Sequence, residues 1–259
     1  MEFMIAAIIV GVVGLFIALF LGFSAEKFAV PVNEKEEAVR ELLPGNNCGG
    51  CGYPGCDGLA KAIANGEAPT NACPVAGDEG SKKIAEVMGV SSSSALKMVA
   101  FVKCAGTCDK AKTKYEYTGI EDCLMASTVA GGPKACSYGC TGFGSCVKAC
   151  PFDAIHVING IAVVDKDACK ACSKCISACP KQLIELVPYV QEHLVQCNSR
   201  SKGKDVKAVC STGCIGCSIC AKNCPTDAIS MDNDIAHIDP DTCVDCGLCA
   251  LKCPSQVIL

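Results

Sequence analysis

Cys214, Cys217, Cys220 and Cys224–Pro225 read C-x2-C-x2-C-x3-C-P, and Cys243, Cys246, Cys249 and Cys253–Pro254 repeat the pattern. Two-residue gaps let three thiolates wrap three corners of one iron–sulfur cubane. The fourth cysteine, turned away by its proline, ligates the other cluster of a pair. The expected sets are therefore Cys214, Cys217 and Cys220 with Cys253, and Cys243, Cys246 and Cys249 with Cys224. The chemistry of such sites is the uptake and release of single electrons. Zinc asks instead for CxxC or Cys/His pairs across longer loops. A disulfide scaffold suits a short secreted chain with an even cysteine count, whereas this chain has 25 cysteines.

The same unit occurs earlier in a damaged form. KACSYGCTGFGSCVKACPFDAI (134–155) aligns with KAVCSTGCIGCSICAKNCPTDAI (207–229), and one interval separates both Cys150 from Cys179 and Cys224 from Cys253. Upstream, Cys104 in VKC matches Cys197 in VQC, and Cys136 matches Cys210. Cys169, Cys172, Cys175 and Cys179–Pro180 are regular, so Cys169, Cys172 and Cys175 pair with Cys150. The partner motif runs Cys140, Cys146, Cys150–Pro151, with Phe143 where a second ligand belongs. The reading adopted is Cys136 as the replacement, with Cys140, Cys146 and Cys179. Against it stands a three-cysteine site, holding [3Fe–4S] or a non-cysteine ligand.

A further module, NNCGGCGYPGC, carries Cys48, Cys51 and Cys56, followed by Cys73–Pro74. Glycine allows backbone N–H groups to approach sulfur and takes the positive φ of tight loops. A fifth [4Fe–4S] cluster is expected on these four cysteines. The literal G-x-G-x-x-G at Gly50, Gly52 and Gly55 does not follow a buried strand, which a dinucleotide site requires. Cys104, Cys108 and Cys123, with Cys136, Cys197 or Cys210 as a fourth, are candidate ligands of a sixth cluster; the competing reading is buried free thiols. His156, His193 and His237 share no metal or triad spacing. No catalytic side chain is predicted.

The elements that must position these ligands are small. The chain has 259 residues, 5% aromatics and no Trp, so bulky core residues are scarce and clusters must substitute for them. The expected class is α+β: residues 1–25 a transmembrane anchor, 26–76 the four-cysteine module, 77–100 a linker, and 101–196 and 197–259 two tandem dicluster ferredoxin-like units. Phe3 to Phe23 is uncharged and long enough to span a bilayer. It lacks the basic start and small-residue cleavage site of a signal peptide. Lys27, Lys35 and Arg40 follow it, predicting a single pass with the bulk of the chain cytoplasmic. Asn33–Leu43 reads as a helix ended by Pro44–Gly45, and Lys82–Met88 as a short one. A net charge of −4 argues against nucleic acid as a partner.

The order of apolar N-terminus, CGGCGYPGC module and doubled Cys-Pro motifs resembles the B subunit of the Rnf complex, the membrane-bound, ion-translocating ferredoxin:NAD⁺ oxidoreductase. The apolar N-terminus, the Cys48/Cys51/Cys56/Cys73 module and GCTGFGSCVKACPFDAI are specific together, the module alone less so, and the resemblance covers essentially the whole chain. It implies an electron-transfer subunit that receives electrons from soluble ferredoxin and relays them to flavin-bearing and multispanning membrane partners. The alternatives are a polyferredoxin of another membrane reductase, a corrinoid-type iron–sulfur protein, for which no cobamide domain is left, or a non-redox metal-binding protein.

Overall fold

The computed structural model describes the backbone of residues 2–27, 33–91 and 96–259; in the first helix it describes the side chains of 11–24 and 27. Most of the serine run 91–94 and the first part of the apolar segment's side chains thus lie outside the described residues. Helix α1 (Glu2–Lys27) comes first. Among the described residues, no helix is long and apolar enough to cross a membrane.

The four-cysteine module is helical. Asn33 caps α2 (Glu34–Leu42) by accepting from Lys35 N at 3.1 Å. It packs with α3 (Cys56–Ala64) and α4 (Gly77–Met88) around Val39, Leu59, Ile63 and Ile84. The sequence placed only Lys82–Met88 in a helix, within a linker. The observed helix begins earlier and presents Ile84 to this core, so the first part of that stretch packs with the module. Gly89, at φ 71°, ends it in the left-handed conformation that glycine adopts without strain.

Among the described residues, three two-stranded antiparallel sheets follow. Strand β1 (Met98–Val102) leads to the short helices α5 (Cys123–Thr128) and α6 (Ser145–Lys148). Then come the hairpin β2 (Ile155–Ile158) and β3 (Ile161–Val164), helix α7 (Lys174–Ala178) and strand β4 (Ile184–Pro188). β4 returns to pair with β1, from Met98↔Pro188 to Val102↔Ile184. The second unit holds α8 (Gly203–Val209), α9 (Ile219–Lys222), the hairpin β5 (Ile229–Asp232) and β6 (Ile235–Ile238), and α10 (Leu248–Lys252). Asn159–Gly160 and Asn233–Asp234 turn the two hairpins with positive φ at both positions, as two-residue hairpin turns require. Cysteines stand among the buried residues of every apolar cluster, so ligand and core positions coincide.

Candidate iron–sulfur centres

Each regular ligand loop is built on one backbone device. The residues on either side of the second cysteine are left-handed: Ala171 and Ser173 around Cys172, Gly216 and Ser218 around Cys217, Asp245 and Gly247 around Cys246. Two such residues flanking one cysteine curl the chain around a centre, and a one-turn helix starting just before the third cysteine finishes the wrap. The damaged motif keeps this shape. Gly142 (φ 85°) and Gly144 (φ 72°) flank Phe143, and a Cβ on Gly142 would lie 2.7 Å from Gly160 O, so glycine is required there. The loop survives while its ligand is replaced; the Phe143 ring packs instead on Tyr117, centroids 5.1 Å apart.

Four pockets are each lined by four of these cysteines. Cys214, Cys217, Cys220 and Cys253 line one with about 350 Å³ of empty space. Cys150, Cys169, Cys172 and Cys175 line another of about 350 Å³, and Cys224, Cys243, Cys246 and Cys249 one of about 300 Å³. In each of these three pockets, three cysteines come from one motif and the fourth from the other. The fourth pocket, about 340 Å³, is lined by Cys140, Cys146, Cys179 and Cys123. Here the structure departs from the expectation of Cys136. Asp122 accepts from Leu124 N and Met125 N and so caps α5. Ser145, beside Cys146, donates to Asp122 at 2.7 Å and accepts from Cys123 N at 2.8 Å. This lock draws Cys123 to Cys146. Cys136 lies in a different pocket, facing Cys104 and Cys210. The proposed grouping of Cys104, Cys108 and Cys123 is likewise dispersed, and Cys108 is exposed. An acidic cap plus a serine next to a cysteine, D-C…S-C, is the only sequence signal for the Cys123 substitution, and it is legible only in retrospect.

In the N-terminal module, Cys51 and Cys56 lie close to Cys73. Asn47 Oδ1 accepts from Cys56 N at 2.7 Å. Cys48 sits on the same loop and also faces Cys172 of the first dicluster unit. That loop seats on the unit: a Cβ on Gly50 would lie 3.1 Å from Cys172 O.

The donor sets fit [4Fe–4S] clusters. Among the described residues no three His, Cys, Asp or Glu side chains converge on a point that would hold a single ion. The thiols instead stand around the walls of pockets, as ligands of a larger inorganic core must. Backbone N–H groups point at the sulfurs: Ala154 to Cys150 at 3.4 Å, Leu183 to Cys179 at 3.5 Å, Ala100 to Cys169 at 3.4 Å and Asp245 to Cys243 at 3.4 Å. Such bonds are a lever by which protein tunes a cluster's potential. Burial, then the neighbouring sulfurs, pushes Cys146 up to about 12 and Cys175 up to about 11. Thiolates at these positions need a cationic core among them.

Three family models match the chain. The "Putative Fe-S cluster" family matches residues 43–75, and two "4Fe-4S dicluster domain" families match 132–180 and 213–257. The chain is 46% identical over 234 residues to the B subunit of the Na(+)-translocating ferredoxin:NAD(+) oxidoreductase complex of Acetobacterium woodii, covering 90% of this chain and 70% of that one. It is 42% identical to the B subunit of the proton-translocating ferredoxin:NAD(+) oxidoreductase complex of Clostridium ljungdahlii (90% and 82% covered). To the B subunit of the ion-translocating oxidoreductase complex of Methanosarcina acetivorans it is 40% identical (87% and 86% covered). With matching iron–sulfur domains and relatives aligned over most of both chains, this protein belongs to the B-subunit family of the Rnf-type ion-translocating oxidoreductase complexes.

Proposed function

We propose that this subunit accepts electrons from reduced soluble ferredoxin and relays them through its clusters to flavin-bearing and multispanning partners in the membrane. The observation that carries this reading is the set of thiol-lined pockets in close succession. The Cys48 loop abuts Cys172, and Cys150 and Cys179 each leave one motif to complete the other's pocket. Clusters held by these cysteines would supply one-electron chemistry. The protein's share is to hold spacing, to donate N–H groups to sulfur and to exclude water. The sites assigned are Cys48, Cys51, Cys56 and Cys73; Cys123, Cys140, Cys146 and Cys179; Cys150, Cys169, Cys172 and Cys175; Cys214, Cys217, Cys220 and Cys253; and Cys224, Cys243, Cys246 and Cys249.

The same proposal makes α1 a single membrane span with the bulk of the chain on the cytoplasmic side. Its support is the sequence, uncharged from Phe3 to Phe23, a run that at about 1.5 Å per residue matches the roughly 30 Å of hydrocarbon once the side chains outside the described residues are counted. Its described large side chains, among them Leu15, Phe16, Leu19, Phe20 and Phe23, all stand exposed, with apolar groups on every side and no protein partner. The test is anaerobic rapid mixing of the full chain with reduced ferredoxin, followed by cluster absorbance. Stoichiometric bleaching within the complex's turnover time supports the relay. Zinc in place of iron and sulfide would sink it.

A further inference from the structure

Four cysteines outside the five assigned sets meet in one place. Cys104, Cys136, Cys197 and Cys210 line a pocket with about 420 Å³ of empty space, no smaller than the four lined by the other quartets. Cys104, Cys197 and Cys210 lie outside all three segments matched by family models. The two repeats contribute alike: Cys104 and Cys136 from the first occupy the positions of Cys197 and Cys210 in the second. The site is thus a pseudo-twofold pairing of one cysteine couple with its own copy.

Backbone bonds clamp the two halves around it. Ala105 N donates to Gln196 O at 2.9 Å, Lys112 N to Val209 O at 2.9 Å and Ser211 N to Lys110 O at 2.9 Å. The space between the sulfurs is kept open by glycine. A Cβ on Gly106 would stand 3.6 Å from both Cys104 Sγ and Cys210 Sγ, and one on Gly139 would stand 3.5 Å from Cys136 Sγ and 3.7 Å from Cys104 Sγ. A side chain at either position would fill the cradle. N–H groups reach the sulfurs here as elsewhere: Cys140 N to Cys104 Sγ at 3.4 Å and Ser199 N to Cys197 Sγ at 3.5 Å. A cluster ligand of the first unit thereby touches this site directly. On the other side, the Cys214 backbone hydrogen-bonds the Cys197 sulfur, so a ligand of the second unit touches it too. Buried free thiols would account for none of these features: the matched pairs, the glycine cradle or the position between two ligand sets.

We propose that Cys104, Cys136, Cys197 and Cys210 hold a sixth [4Fe–4S] cluster set between the two dicluster units. This rests on the electron-carrier reading above and extends it, since the two units then share one path. Of the 25 cysteines only Cys108 is left without a cluster.

The test is iron, acid-labile sulfide and zinc per chain on the full-length protein, made and purified without oxygen in detergent. About 24 irons with matching sulfide are expected for six cubanes. About 20 irons, with or without zinc, overturn the sixth cluster and leave the carrier reading standing; absence of iron and sulfide overturns both. Cys197→Ala should lose between about one and four irons relative to the parent, as its cluster falls to a three-iron form or is lost whole, and Cys108→Ala none. Retention of all iron by Cys197→Ala, or loss of four by Cys108→Ala, refutes the ligand set. If Cys197→Ala does not fold, the parent stoichiometry decides alone.

Discussion

Replacing Lys134 by Met should move the potentials of particular clusters in a predictable direction. Lys134 is 8% exposed, and its Nζ donates to Gly106 O and Gly160 O, both at 2.7 Å. Gly106 is the residue that faces Cys104 and Cys210. Burial pushes the Cys140 thiol up, and Lys134 is the nearby positive charge that opposes this. The ammonium therefore stands beside two cluster sites. Unit charges about 8 Å apart at an effective dielectric of about 20 interact by about 2 kcal/mol. For one electron this is about 90 mV. An added electron is stabilised by the ammonium, so its removal makes reduction harder and the potential more negative. Allowing for screening by solvent at the pocket mouth, the expected shift is about −50 to −90 mV. Two carbonyls also lose their donor, which costs about 1–3 kcal/mol of stability. The assay is a redox titration of the full chain followed by low-temperature EPR, with Lys83→Met on α4 as the control. If every component stays within about 20 mV of the parent, or the nearest ones move positive, the electrostatic reasoning is wrong.

Cys123→Ser should convert the Cys140/Cys146/Cys179 site to a three-iron form, seen as a new EPR signal in the oxidised protein, while Cys136→Ser should leave that site intact; the reverse result would reinstate Cys136 as its ligand. Gly50→Val places a branched side chain where a Cβ alone would already lie 3.1 Å from Cys172 O. It should slow electron exchange between the N-terminal module and the first unit several-fold with iron content unchanged, read by rapid mixing; an unchanged rate would show that this contact is not on the path. Leu59→Ala, at a position with 0% exposure, should destabilise the module by about 2–5 kcal/mol, measured as a lower denaturation midpoint for the cluster that its cysteines hold. Removing iron by chelation should abolish the cooperative thermal transition of the dicluster units, because their ligands are also their core; a preserved transition in calorimetry would contradict this.

What the sequence by itself determined is local. For three of the four Cys-Pro motifs in the dicluster units the spacing alone names the cysteines that line one pocket, three from one loop and the fourth from its partner. The helix read as Asn33–Leu43 and observed as Glu34–Leu42 was legible for the same reason, since Pro44–Gly45 stops it within a residue or two. The family, too, was readable from the order of motifs. Tertiary structure decided wherever a ligand arrives from outside its loop. Cys123 and Cys136 are both buried or half-buried cysteines upstream of Cys140, and nothing in their spacing separates them. The Asp122–Ser145 lock, formed across 23 residues, sends the first to Cys146 and leaves the second to face Cys104. The meeting of Cys104 and Cys136 with their own repeats, Cys197 and Cys210, was hidden in the same way. A repeat shows in the letters that two cysteine couples are equivalent, but only the backbone bonds from Ala105 to Gln196, Lys112 to Val209 and Ser211 to Lys110 bring them face to face.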